Sequence, residues 1–259
     1  CILLGLVLQG GIAGIALATV ISEMVGMLVG LAVILPGLHS RDPRRIPGLL
    51  DRPKVMALVA LNGDIMIRTF VLLGAFLLMT RIGAHLGPLT LAANAVLMNF
   101  FLIGGYWLDG LANAAETIIG RAVGADFRPA FDRGLKLTGY WSLALAVLIS
   151  MLLAIFGQSA IDFLTTSQPV RQIAYDNLGW AAILPISGCL AFLMDGVYIG
   201  ATWSHAMRNR MILAFAGYAI ALWLLVPAAG NAGLWIALNT FLWLRGILLA
   251  VGVPKLRDQ

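Results

Sequence analysis

The sequence predicts an all-α, polytopic membrane protein, and three observations carry that prediction. Hydrophobic residues make up 61% of the 259 residues and charged ones only 11%, against about 25% charged in ordinary soluble domains. Apolar runs long enough to cross a bilayer as helices recur along the whole chain, with a mean hydropathy of +0.94. Basic residues concentrate in alternate loops, which fits a chain passing back and forth through a membrane. A transmembrane barrel would read instead as short segments of alternating hydropathy.

The spans follow in order. Residues 2–9 read as the outgoing end of a helix, and a turn follows at Gln9 to Gly11. The chain starts at Cys1 inside this apolar run and is expected to belong to a longer protein. The first complete span is predicted at 13–36, up to Pro36. A polar loop with three prolines occupies 39–54, and the second span lies at 55–80. Arg81, His85 and Pro88 mark a short loop before the third span, 90–122. Residues 124–137 read as a charged connector with room for a short surface helix. The remaining spans are predicted at 138–157, 172–201, 211–228 and 232–253.

The loop charges orient these spans. The loop 39–54 holds Arg41, Arg44, Arg45, Arg52 and Lys54, and the connector holds Arg121, Arg128, Arg133 and Lys136. Arg208 and Arg210 follow the fifth span, and Lys255 and Arg257 follow the seventh. These 13 of the 17 basic residues lie on one side, which predicts a cytoplasmic C-terminus. The same distribution explains the net charge of +5 without nucleic acid. Two cysteines, Cys1 and Cys189, imply no disulfide framework.

An internal repeat adds a division into lobes. Gly11 opens GIAGIALATVISEMVGMLVGL and Gly230 opens GNAGLWIALNTFLWLRGILLA, each beginning Gly-x-Ala-Gly. The match makes the first and seventh spans corresponding last helices of two lobes. Residues 1–38 then end an N-terminal lobe, 39–54 form a cytoplasmic linker, 55–253 form a six-helix C-terminal lobe, and 254–259 form a cytoplasmic tail.

Polar residues inside the spans are the candidates for function, because an acid at the centre of a membrane helix costs about 2.5–3.5 kcal/mol and persists where it has a partner or a cavity. Asp109, Asn113 and Glu116 on the third span have spacings of four and three, which set them on one helical face. Interhelical hydrogen bonding would explain one such group; three on one stripe point to a transport role. Asp64 and Arg68 lie one turn apart on the second span and read either as a neutralised pair or as the lining of a cavity. Asp195 follows Pro185 and Gly188 on the fifth span. YWLDG (106–110) and FLMDG (192–196) share an aromatic residue and Asp-Gly, where each glycine allows a close backbone approach. Arg245 on the seventh span is expected to pair with an acid on another helix, Asp109 being one candidate. Glu23 on the first span ranks lower, and His39, His85 and His205 read as solvated.

No catalytic constellation, phosphate loop or metal-spaced Cys/His cluster occurs in the sequence. The protein is therefore expected not to be an enzyme, to hold no metal and to need no cofactor beyond a coupling ion. Lys54, Lys136 and Lys255 all fall outside the spans, which excludes an intramembrane Schiff base.

Three blocks in order, NGDIMIRT (62–69), LDGLANAAETIIGRAVGA (108–125) and FLMDGVYIGATWSHAMRN (192–209), resemble the multidrug and toxic compound extrusion (MATE) transporters, in particular their DinF-like branch. The resemblance covers about 10–253. It implies a twelve-helix, two-lobe antiporter in a bacterial inner membrane, of which this chain supplies the C-lobe and the preceding helix. It implies exchange of organic compounds for protons or sodium ions, with Asp109 or Glu116, and Asp195, at positions matching C-lobe cation sites of some branches. The expected partners are a small organic substrate, membrane lipid and an N-terminal lobe. Two arginines against five acids in the spans (Glu23, Asp64, Asp109, Glu116 and Asp195) favour cationic or neutral cargo. A flippase for lipid-linked oligosaccharide and a non-transporting scaffold subunit are the alternatives.

Overall fold

The structure, a computed structural model, describes residues 11–39 and 51–257. The expected helix end at 2–9 and most of the loop 39–54 lie outside the described residues. Two compact units divide the chain, Cys1–Met56 and Ala57–Gln259. The first contains α1 (Gly11–His39), a 29-residue apolar helix that begins at the first copy of the repeat. The second is a helical bundle built from α2 (Arg52–His85), α3 (Pro88–Gly124), α4 (Arg128–Leu164), α5 (Gln168–Gly200) and α6 (Ser204–Arg257). No strand occurs among the described residues, and all six helices are long and apolar enough to cross a membrane.

Six helices hold seven spans, because α6 is broken at Gly230. There the backbone takes φ 55°, ψ −126°, a conformation open to glycine and costly for a residue with a Cβ. The arms 204–229 and 231–257 fold back on each other. Tyr218 packs on Phe241 with ring centroids 5.2 Å apart, and a Cβ on Gly217 would stand 2.7 Å from Leu244. Gly233 lies against the Leu225 carbonyl and Gly252 against Arg210. Each pair sits nearly symmetrically about residue 230, the signature of an antiparallel hairpin.

The helices run further than the hydropathy predicts. Four of them carry proline in the first turn: Pro53, Pro88, Pro129 and Pro169. Proline fits that position because its missing N–H would have no intrahelical acceptor there. Most of the predicted connector 124–137 is therefore helix. Only a tight turn at Ala125 to Phe127 separates α3 from α4, with Asp126 at φ 49°. Arg81 and His85, expected in a loop, lie in the last turns of α2. Charge marks where a helix leaves lipid, and it does not end the helix.

Lipid competes for apolar side chains as well as protein does, so helices in a bilayer associate through close packing and polar contacts. The tightest approach here is between α3 and α5. Gly196 sits against the Ala112 carbonyl and Gly200 against the backbone of Glu116, with Gly120 also on Gly200. These pairs advance together along both helices, so α3 and α5 run parallel. The Gly-x-x-x-Gly spacing at 196 and 200 clears the way for direct backbone contact. Of the two Asp-Gly pairs noted in the sequence, Gly196 meets a backbone, whereas Gly110 faces open space. The most enclosed helix is α5, and Trp235, Phe241, Tyr218 and Leu184 fill the main core around it.

Candidate functional site

A cavity of about 320 Å³ opens where α2, α3, α5 and the second arm of α6 meet. One wall is aromatic: Phe101 lies between Phe76 and Phe192, with ring centroids at 6.0 and 6.5 Å. Gly105 on α3 keeps that wall accessible, since a Cβ there would stand 3.5 Å from the Phe192 ring. The other wall is charged. Arg68 from α2, Asp109 from α3, Asp195 from α5 and Arg245 from α6 all line the cavity.

Asp195 organises the charged wall. Its Oδ2 accepts a hydrogen bond from Nη2 of Arg68 and forms an ion pair with Nη2 of Arg245. Arg245 is 2% exposed and Asp195 6%. The two guanidiniums are close enough to act on each other's charge, and Asp109 acts on Arg68. Asp109 itself is exposed at the mouth. Three buried polar atoms in this group have no partner: Nε of Arg68, Nε of Arg245 and Oδ1 of Asp195. Buried polar atoms are almost always satisfied, so three orphans in one ionic group set it apart from the other polar contacts of the bundle.

Asp64 and Arg68, one turn apart on α2, part company. Asp64 is 3% exposed and turns toward the start of α6. It accepts from Ser204 Oγ at 2.9 Å and from Arg208 at 2.5 Å, and His205 Nδ1 lies 3.0 Å away. The reading of Asp64 and Arg68 as a neutralised local pair is thus corrected: each finds its partner on a distant element. His205 has an exposed ring, as expected, yet contacts a buried acid.

The stripe on α3 is not one site. Asp109 reaches the cavity, whereas Asn113 is exposed, Glu116 is half-buried, and neither is part of the lining. Glu116 lies about 10 Å further along the helix axis than Asp109, where its backbone meets Gly200 of α5. Arg245 does pair with an acid on another helix, and that acid is Asp195. Glu23 lies in the first unit, on α1.

Sequence reasoning missed several polar contacts. Ser204, His205 and Arg208 fall inside the third quoted block, TWSHAMRN, and their clustering at a helix start was a usable signal. Asn94 on α3 accepts from Trp235 Nε1 at 2.9 Å and exchanges hydrogen bonds with Asn231, tying α3 to the second arm of α6. Asn239 accepts from Ser187 at 2.6 Å and donates to the carbonyls of Trp180 and Trp235. Among the described residues, no three His, Cys, Asp or Glu side chains converge to hold a metal ion.

Comparison with known proteins follows the same lines. The MatE family model matches residues 65–225. The chain is 39% identical over 253 residues to DNA damage-inducible protein F of Escherichia coli (strain K12), covering 94% of this chain and 53% of that protein. It is 28% identical over 246 residues to Protein DETOXIFICATION 44, chloroplastic, of Arabidopsis thaliana, covering 92% and 45%. The solved structure of the Vibrio cholerae MATE transporter VcmN in the bent form shares the fold, with a TM-score of 0.84 at 22% identity over 99% of this chain and 58% of that one. A MOP superfamily transporter from Pyrococcus furiosus gives 0.70 at 20% identity, over 78% and 45%. The chain spans about half the length of the curated relatives it matches.

Proposed function

The chain belongs to the MatE family, whose members are transporters rather than enzymes, and from that premise we propose that it forms the C-terminal lobe, with one preceding helix, of an ion-driven exporter of organic compounds. The observation that carries this reading is the cavity between α2, α3, α5 and α6, which sets four ionisable side chains against an aromatic wall within membrane-crossing helices. Residues 1–38 end the other lobe, 39–54 link the lobes, and 55–253 make this one. The protein sits in the inner membrane of a bacterium with its C-terminus in the cytoplasm, the side to which the basic loops belong.

Transport follows if the ion and the cargo stabilise different states of the lobes or compete for the same groups. Protons or sodium ions supply the drive. Asp109 at the mouth and Asp195 behind it are the coupling candidates, with Arg68 and Arg245 holding Asp195 in place. Asn113, Glu116 and Asp64 lie outside the cavity and rank below them. A carboxylate exposed at the mouth and a volume of about 320 Å³ suit a polyanionic pyrophosphate bearing lipid and sugar poorly, which disfavours the oligosaccharide flippase. A cavity lined by four ionisable side chains disfavours the scaffold, in which buried charges would serve only as assembly contacts.

The test is efflux from vesicles containing the protein at its natural length, under an imposed pH gradient and, separately, a sodium gradient. Asp109→Asn is expected to lower ion-driven efflux about 5-fold or more at unchanged abundance. Unchanged efflux from both Asp109→Asn and Asp195→Asn removes these acids from the mechanism. No efflux under either gradient removes the transport reading.

A further inference from the structure

We propose that the cavity receives the acid group of an amphipathic organic anion, a single carboxylate or sulfonate on a flat apolar body, rather than an organic cation. This rests on reading the cavity as the cargo site and goes beyond it by naming the cargo's chemistry. The argument begins with where the charges lie. Five acids against two arginines favour a cation only if the acids share one space with the arginines, and Asp64 and Glu116 lie outside the cavity. Asp64 is taken up by Ser204, His205 and Arg208. Glu116 is absent from the lining, and Glu23 belongs to the other unit. Arg68, Arg245, Asp109 and Asp195 remain, a formal balance of zero.

That balance is uneven with depth. Asp109 is exposed, whereas the Arg245 and Asp195 side chains are 3% and 8% exposed and that of Arg68 is 15% exposed. The enclosed part of the site therefore holds two guanidiniums against one carboxylate. Hydrogen bonding has the same imbalance. Both arginines use an Nη on the same oxygen, Oδ2 of Asp195. Each is left with a buried, unmet Nε–H, against a single unmet acceptor, Oδ1. Guanidinium groups only donate and carboxylates only accept.

An organic cation brings donors, or a quaternary nitrogen that forms no hydrogen bonds. It can satisfy Oδ1 at most, and it approaches two positive charges. An acid group brings acceptor oxygens for guanidinium N–H groups, in the fork geometry that guanidiniums favour. The wall of Phe76, Phe101, Phe192 and Leu242 suits the apolar body. A volume of about 320 Å³ is at the small end for ligand pockets, enough for an acid group and one ring system. Cargo and Asp195 then share the same two cations, so removing the Asp195 charge frees them for the cargo.

The test is scintillation-proximity binding of tritiated 2-naphthylacetate to the protein purified at its natural length. Unlabelled naphthylacetate should displace the label at about tenfold lower concentration than 2-naphthylethanol, with (2-naphthylethyl)trimethylammonium weaker still. Arg245→Gln should weaken the acid by about tenfold, and Asp195→Asn should tighten it. The comparison of the three unlabelled compounds needs no variant to fold. Equal or stronger displacement by the ammonium compound overturns the proposal, as does a lack of saturable binding by the acid. Ion-driven efflux of cations without acid binding would leave the transport reading standing and remove this one. Acid binding without efflux under either gradient would do the reverse.

Discussion

Two ionic attachments hold α2 to the rest of its bundle, and they differ in one respect. At Asp64 the polar demand is closed: both oxygens have partners, from Ser204, His205 and Arg208. At Arg68, one turn further along, it is open, with three buried atoms of the Arg68–Asp195–Arg245 group unmet. Both acids are buried to a similar degree, 3% and 6% exposed, so burial does not distinguish them. Satisfaction does. Helix α2 also packs less closely on its neighbours than α3, α4, α5 and α6 pack on one another, so these attachments matter more to it than backbone contact does. The closed one reads as a fastening and the open one as a binding surface.

That contrast can be broken by measurement. The largest effect is expected from Asp195→Leu, which strands two enclosed guanidiniums. Loss of about 3–5 kcal/mol is expected, read as thermal unfolding in detergent. Asp64→Leu should cost less, about 1–3 kcal/mol, because Arg208 and His205 are partly open to solvent and can turn to water. A larger loss at Asp64 than at Asp195 would reverse the comparison. Arg68→Met should cost under about 1 kcal/mol on the same assay, since it leaves Asp195 and Arg245 as a one-to-one pair and deletes an orphaned donor. A loss as large as that of Asp195→Leu would mean the second guanidinium is needed for the fold rather than for a ligand. Smallest is His205→Ala, within about 0.5 kcal/mol, since its ring is 72% exposed and Ser204 and Arg208 still hold Asp64.

The sequence made the spans legible and the pairings illegible, for a physical reason. A span is a local property, visible in hydropathy and in punctuation such as Gly230 and the four first-turn prolines. Arg68 meets Asp195 across 127 residues, and which acid it meets depends on how two helices are rotated about their own axes. Local spacing offered Asp64 as the nearest acid, one turn away, and tertiary packing overrode it. Asp195 was legible as a buried acid without a local cation, and Arg245 as a cation without a local acid. Their union required the fold. The charged start of α4 separates from its span in the hydropathy, because hydropathy falls where a helix leaves lipid, although Pro129 marks a helix start that runs on unbroken.

The long reach from Arg68 to its partners also has a consequence for biosynthesis. A chain made from its N-terminus inserts α2, then α3 and α4, before Asp195 exists. Arg245 follows after a further 50 residues, on the second arm of α6. During that interval Arg68 stands in a membrane helix without its native counter-charge, at about 2.5–3.5 kcal/mol on the insertion scale. The arrival of α5 closes the glycine seam with α3 and brings Asp195 to Arg68 in the same event. Helix assembly and charge neutralisation are thereby one step, and the bundle cannot complete the first without the second.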